Sequence, residues 1–134
     1  MTRRIIAGII VLTATLWIGL TSYAKEEQPE LIKMRATAYC LQGITCTGKE
    51  VRIGIAATGR KELVGKTVIL YQRLPNDELG QGLGIYEVED SGCNENVIDV
   101  WRPDLDACQQ FMNEVYQNGA QGKIYVEVLE DCNG

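Results

Sequence analysis

The sequence predicts a mainly β domain, a small closed barrel of six strands with one late α-helix. Three observations predict it. Six short runs rich in Val, Ile, Thr and Tyr read as strands, by alternation or by continuous apolarity. Glycines and Asn/Asp clusters separate them, at Gly43, Gly48, Gly59, Asn76-Asp77, Gly80, Gly82, Gly92 and Asn94. Only one stretch has helical periodicity, and it follows the fifth run. Closing so few short strands into a barrel leaves no exposed sheet edge.

Residues 1–4 are a basic start with Arg3 and Arg4, and residues 5–20 are apolar and uncharged. Ser22-Tyr23-Ala24 then supplies small residues at the spacing a signal peptidase reads. Residues 1–24 therefore read as a signal peptide cut after Ala24. The rival reading is an uncleaved N-terminal membrane anchor, because residues 5–24 are just long enough to span a bilayer. Either reading places the domain outside the cytoplasm, secreted or in the cell envelope. Residues 25–33 form a linker that opens polar, and residues 34–134 form the domain.

The strand runs cover residues 32–39, 51–57, 67–71, 84–90, 97–101 and 123–129. The helix opens at Pro103, with Asp104 and Asp106 favourable in its first turn. Leu105, Cys108, Met112 and Val115 make its apolar stripe, and Asn118-Gly119 ends it. That stripe reads as core packing.

Without the signal peptide, 11 basic residues stand against 18 acidic ones, a net charge of −7. Such a balance argues against a nucleic-acid partner. The charge is uneven. Residues 47–73 carry six bases against Glu50 and Glu62, and residues 74–106 carry nine acids against Arg102. This is either an ordinary solvated surface or a cleft with one basic and one acidic wall. All five cysteines (Cys40, Cys46, Cys93, Cys108, Cys132) follow the signal segment, which points to disulfides in an exported chain. Cys40 and Cys46 flank a short loop containing Gly43 and are the expected pair; the other pairings stay open. With no Cys-x-x-Cys and no histidine, a metal site is not expected, and nothing calls for a cofactor.

The absence of histidine makes carboxylates the groups that would carry chemistry. Asp90 and Asp99 each end an apolar strand run, in Glu89-Asp90-Ser91-Gly92 and Val97-Ile98-Asp99-Val100. An aspartate with its ordinary pKa near 3.9 holds no proton at neutral pH. To act as a general acid it needs desolvation or a like charge nearby. Asp99, between Ile98 and Val100, is the candidate acid, and Asp90 is its candidate like-charge neighbour.

Ala36-Thr37-Ala38-Tyr39, Thr45-Cys46-Thr47-Gly48, Gly54-Ile55-Ala56-Ala57, Asp90-Ser91-Gly92 and Ile98-Asp99-Val100 follow one another in this order. Together they resemble the three-aspartate (3D) domain of bacterial cell-wall proteins. That domain is related to the catalytic core of membrane-bound lytic transglycosylase A and to the RlpA-like barrel. The resemblance spans residues 34–129. It implies a double-psi β-barrel whose groove holds peptidoglycan glycan strands. It also implies cleavage of the MurNAc–GlcNAc bond without water, leaving a 1,6-anhydro sugar. By the match, Asp99 is the catalytic acid, Asp90 supports it, and Thr37, Tyr39, Thr47 and Ser91 line the substrate groove. Thr58 stands where the family has its first aspartate, and Glu62 is the nearest carboxylate along the chain.

Two other functions are compatible with the residues. The same barrel without Thr58's missing acid would serve as a non-catalytic module that binds wall glycan or protein. A small disulfide-rich secreted factor with purely structural aspartates is the third. Trp101 reads as a core or barrel-end residue, with sugar stacking as the minority role.

Overall fold

The computed structural model describes residues 30–92 and 94–129. It is mainly β with one helix, as the sequence predicts. The elements are β1 (Leu31–Tyr39), β2 (Ile55–Thr58), β3 (Thr67–Arg73), β4 (Leu79–Ser91), β5 (Val97–Trp101), α1 (Leu105–Tyr116) and β6 (Lys123–Leu129). The six strands hydrogen-bond in a ring, in the order β1-β5-β2-β4-β3-β6, with β6 pairing back to β1. The pairs β1/β5 and β2/β4 are parallel and the other four are antiparallel.

Alternation assigns the inner face. Met34 and Ala36 of β1, Ala56 of β2, Val68 and Leu70 of β3, Ile98 and Val100 of β5, and Ile124 and Val126 of β6 share one core. Removing these side chains from water is the main stabilising contribution, about 1.5–3 kcal/mol for each large aliphatic group. Helix α1 closes one side through Phe111 and Val115, with Phe111 edge-on to Tyr86 at 6.5 Å between ring centroids.

The helix begins later than expected. Asp104 is its N-cap, accepting from the Ala107 amide at 2.8 Å, so Pro103 lies outside it. Leu105 is 76% exposed and does not belong to the buried stripe; Phe111, one turn before Val115, takes that place. The C-terminal stop at Asn118-Gly119 agrees with the sequence, both residues having positive φ. Gln72 is buried but fully engaged: its Nε2 donates to the Glu114 carbonyl at 2.7 Å, and its Oε1 accepts from Asn118 and from the Gln81 amide.

Two strand boundaries differ from expectation. Residues 51–54 are a turn leading into β2, with Gly54 at φ +100°. β4 begins five residues early and runs through Gly80 and Gly82, which read as loop punctuation. At Gly80 a Cβ would sit 2.9 Å from the Gln72 Cβ and the Leu74 side chain. Here glycine is what lets β3 and β4 approach, rather than a break in the strand.

The signal segment, the linker up to residue 29, Cys93 and Cys132 lie outside the described residues.

Candidate functional site

The strand register assembles a line of side chains on the face opposite the core. Thr37 of β1 is level with Asp99 of β5, Asp99 is level with Ala57 of β2, and Ala57 is level with Asp90 of β4. None of the four belongs to the core cluster. The two aspartates thus flank the small methyl of Ala57. With neighbouring strands about 4.8 Å apart, their backbones lie roughly 9.6 Å from one another.

Asp90 reaches this line through an irregularity. Tyr86 and Val88 of β4 point into the core, so simple alternation would send Asp90 inward as well. The β2/β4 register shifts between Ala56 and Ala57: Val88 is level with Ala56, but Asp90 is level with Ala57. Glu89 is the extra residue of a β-bulge, and the bulge turns Asp90 outward.

Asp99 is half-buried, and its Oδ1 accepts from the Thr37 hydroxyl at 2.8 Å. Its pKa is raised above the ordinary carboxylate value, because burial disfavours the anion more than the Thr37 hydrogen bond favours it. The like charge of Asp90, expected from the sequence to do this, is not among the causes. Asp90 acts on a different group. Tyr39, two residues beyond Thr37 on the same face, has its phenol pushed up to about 12 by burial and then by the charges of Asp90 and Asp99. Tyr39 is therefore neutral and lies within the field of both carboxylates. Its hydroxyl is buried and has no hydrogen-bond partner among the described residues.

Residues 40–54 fold over this face. Within the segment, the Thr45 amide donates to the Lys49 carbonyl at 2.8 Å and the Val51 amide to the Gly43 carbonyl at 3.0 Å. Among its contacts with the sheet, three bear on the site. The Trp101 indole donates to the Leu41 carbonyl at 2.7 Å, and the Cys46 amide donates to Asp90 Oδ1 at 3.0 Å. The third is ionic: Arg52 grips Glu89 through both guanidinium nitrogens and also holds Glu87 at 2.7 Å. Asp90 Oδ1 accepts the Ser91 amide too, at 2.9 Å. Two backbone donors thus fix its orientation.

Glu89 is 4% exposed, and the paired Arg52 holds its carboxyl down at about 2, with Lys49 at 3.6 Å adding to the effect. The basic and acidic segments of the sequence therefore meet as ion pairs here.

The remaining sequence candidates separate. Thr37, Tyr39, Asp90 and Asp99 come together. Ser91 follows Asp90 at the end of β4, exposed, and contributes its amide. Thr47 is exposed, shares a hydrogen bond with Thr45 at 2.9 Å, and lines a hollow with Lys49, Lys66 and Glu89. That places Thr47 beside the ionic anchor instead of beside Asp99. Thr58 is buried and spends its hydroxyl on the backbone, donating to the Val97 carbonyl at 2.7 Å and accepting from the Arg60 amide at 3.2 Å. Glu62 borders a hollow with Leu31 and Ile32, roughly 16 Å along β1 from Thr37, so it does not replace the missing acid. Trp101 is 6% exposed beneath the loop, in line with a packing role.

Cys40 and Cys46 are not bridged. Cys46 is exposed, with its thiol 3.6 Å from the Glu89 carbonyl. Cys40 and Cys108 are free as well. The sequence carried no signal for the Glu89–Arg52 anchor or for the Cys46 amide, because both depend on how the loop folds back.

The chain matches no family model and no curated protein sequence.

Proposed function

We propose that the Thr37–Asp99–Ala57–Asp90 line is a glycan-processing site and that the protein is an exported, peptidoglycan-active lytic transglycosylase. The strand ring would be a double-psi β-barrel, a reading supported by its two parallel pairs and by the order of the sequence motifs. The observation that carries the functional reading is Asp99: a half-buried carboxyl with a raised pKa, oriented by one hydroxyl.

Such a group can donate a proton to the glycosidic oxygen of a MurNAc–GlcNAc bond. The resulting carboxylate can then accept the proton of the sugar's own 6-hydroxyl as that oxygen attacks, leaving a 1,6-anhydro product. One acid used twice suffices, so no nucleophile at close range is needed. Asp90 and neutral Tyr39 would shape the field around the developing positive charge on the sugar ring.

The test is digestion of purified cell-wall sacculi, with products resolved by mass spectrometry. Anhydro-muropeptides are expected, and Asp99→Asn should lower their release by at least about 100-fold. Release of reducing-end products would show a hydrolase instead. Full activity in the variant would end the assignment of Asp99.

A second reading has its own observation. Thr58 supplies no acid, and its hydroxyl is already committed to the backbone. If sacculi retain the protein in a pull-down without any turnover, the barrel is a binding module.

A further inference from the structure

We propose that the free edge of β4 pairs with the same edge of a second copy of this chain, giving a twofold symmetric dimer. The edge exists because β4 outruns its neighbour on one side. β3 pairs with β4 from Leu79 to Glu87, but β2 begins at Ile55, level with Glu87. Residues 79–86 therefore extend past the end of β2, about 27 Å of strand. Among the described residues, no strand pairs with this edge, so closing the ring leaves one stretch open where a closed barrel was expected to leave none. Its direction can be read from the neighbouring hydrogen bonds. The Val88 amide points to the β3 side, donating to the Lys66 carbonyl at 2.9 Å, and the Glu87 amide points away, donating to the Gly54 carbonyl at 2.8 Å. Alternation then turns the Ile85 amide and carbonyl outward, to the side where β2 has ended.

The composition of this stretch leaves it unguarded. Residues 79–86 hold no charge and no proline, the usual devices that keep an edge from pairing. Leu79 is 53% exposed and Ile85 is 61% exposed. The occupant follows from symmetry. Antiparallel pairing of two β4 edges about Gly82 sets Leu79 of one copy level with Ile85 of the other, twice over. Each end of the contact thus covers two apolar side chains that water otherwise surrounds. Gly82 allows the approach at the centre, since a Cβ there would meet nothing within 4 Å. The same register brings Asp77 toward Glu87 of the second copy. Each of these carboxylates already carries a cation, Lys33 at 3.0 Å from Asp77 and Arg52 at 2.7 Å from Glu87. Acids and bases therefore meet in balance at both ends, and no bare like-charge pair opposes the contact. Strand addition of this kind draws affinity from main-chain hydrogen bonds and register from side-chain pairs.

The experiment uses the full chain in mild detergent, with the protein mass followed by light scattering over a concentration series. A monomer–dimer equilibrium is expected for the wild type. Leu79→Glu and Ile85→Lys each set a charge against an apolar side chain of the other copy, and each should weaken dimerisation at least about tenfold. Both positions are exposed, so thermal unfolding of either variant should stay close to that of the wild type. Mixing the two variants should restore dimers, because the new acid of one then meets the new base of the other while Leu79 still meets Ile85 at the second end. A wild type that stays monomeric throughout, with the edge open or taken by a peptide of another protein, would overturn the proposal. So would a dimer that survives in either variant alone, which would place the contact elsewhere on the chain. A mixture that stays monomeric would overturn the register, and with it the pairing about Gly82.

Discussion

Arg52 is the residue whose loss should reach furthest. Arg52→Met removes the two-nitrogen grip on Glu89 and leaves a carboxylate that is 4% exposed with Lys49 alone, at 3.6 Å. The linkage has a definite sign. The folded-state pKa of Glu89 is depressed, from 4.5 to about 2, so its contribution is present above pH 4.5 and is lost as pH falls through about 2. That drop caps the contribution at about 3 kcal/mol. Solvent around the half-exposed guanidinium reduces it to roughly 2 kcal/mol. Urea unfolding at pH 7 should therefore show the variant about 2 kcal/mol less stable, with an unchanged m-value. Between pH 4.5 and 2 the wild type should lose this margin and the two curves should converge. Adding Glu89→Gln to Arg52→Met should recover part of the loss, because the uncompensated charge is then gone. Parallel stability curves across this pH range would refute the claim that the ion pair anchors the loop.

Tyr39→Phe removes a buried hydroxyl with no partner among the described residues. It should raise stability by about 0.5–1 kcal/mol in thermal or urea unfolding while lowering turnover or glycan binding. Thr37→Val deletes the one hydrogen bond that lowers the Asp99 pKa, so the high-pH limb of a pH–rate profile should move upward. Activity should fall as pH rises through that limb in both proteins, since the acid form is the working one. Gly80→Ala forces a methyl to 2.9 Å from Gln72 and Leu74 and should cost about 1–3 kcal/mol in unfolding experiments.

Much of the architecture was legible from periodicity. All six strands and the single helix lie where alternation and helical spacing place them, because burial on one face is what selects those patterns. The boundaries were less legible where a residue serves two purposes. Gly80 and Gly82 look like turns but belong to β4, and at Gly80 the neighbouring strand leaves no room for a Cβ. Leu105 looks like a core residue, yet it opens the helix exposed to solvent and Phe111 takes the buried place. At the site, Thr37, Tyr39 and Asp99 follow from period-two alternation on β1 and β5. Asp90 does not, since alternation from Val88 would have buried it. Thr47 lies away from Asp99, and Cys40 and Cys46 stay unbridged, for a common reason: the path of residues 40–54 is set by long-range contacts with Trp101, Glu89 and Asp90.

The bulge in β4 has a consequence for which acid the site presents. Glu89 and Asp90 are adjacent carboxylates, and only one can stand level with Ala57. Straightening the strand would seat Glu89 there and swing Asp90 toward the apolar interior, exchanging a short arm for one a methylene longer. The grip of Arg52 and Lys49 on Glu89 is what decides the contest, by drawing that side chain to the loop. A surface arginine thus works as a selector, setting the identity of a side chain it never touches.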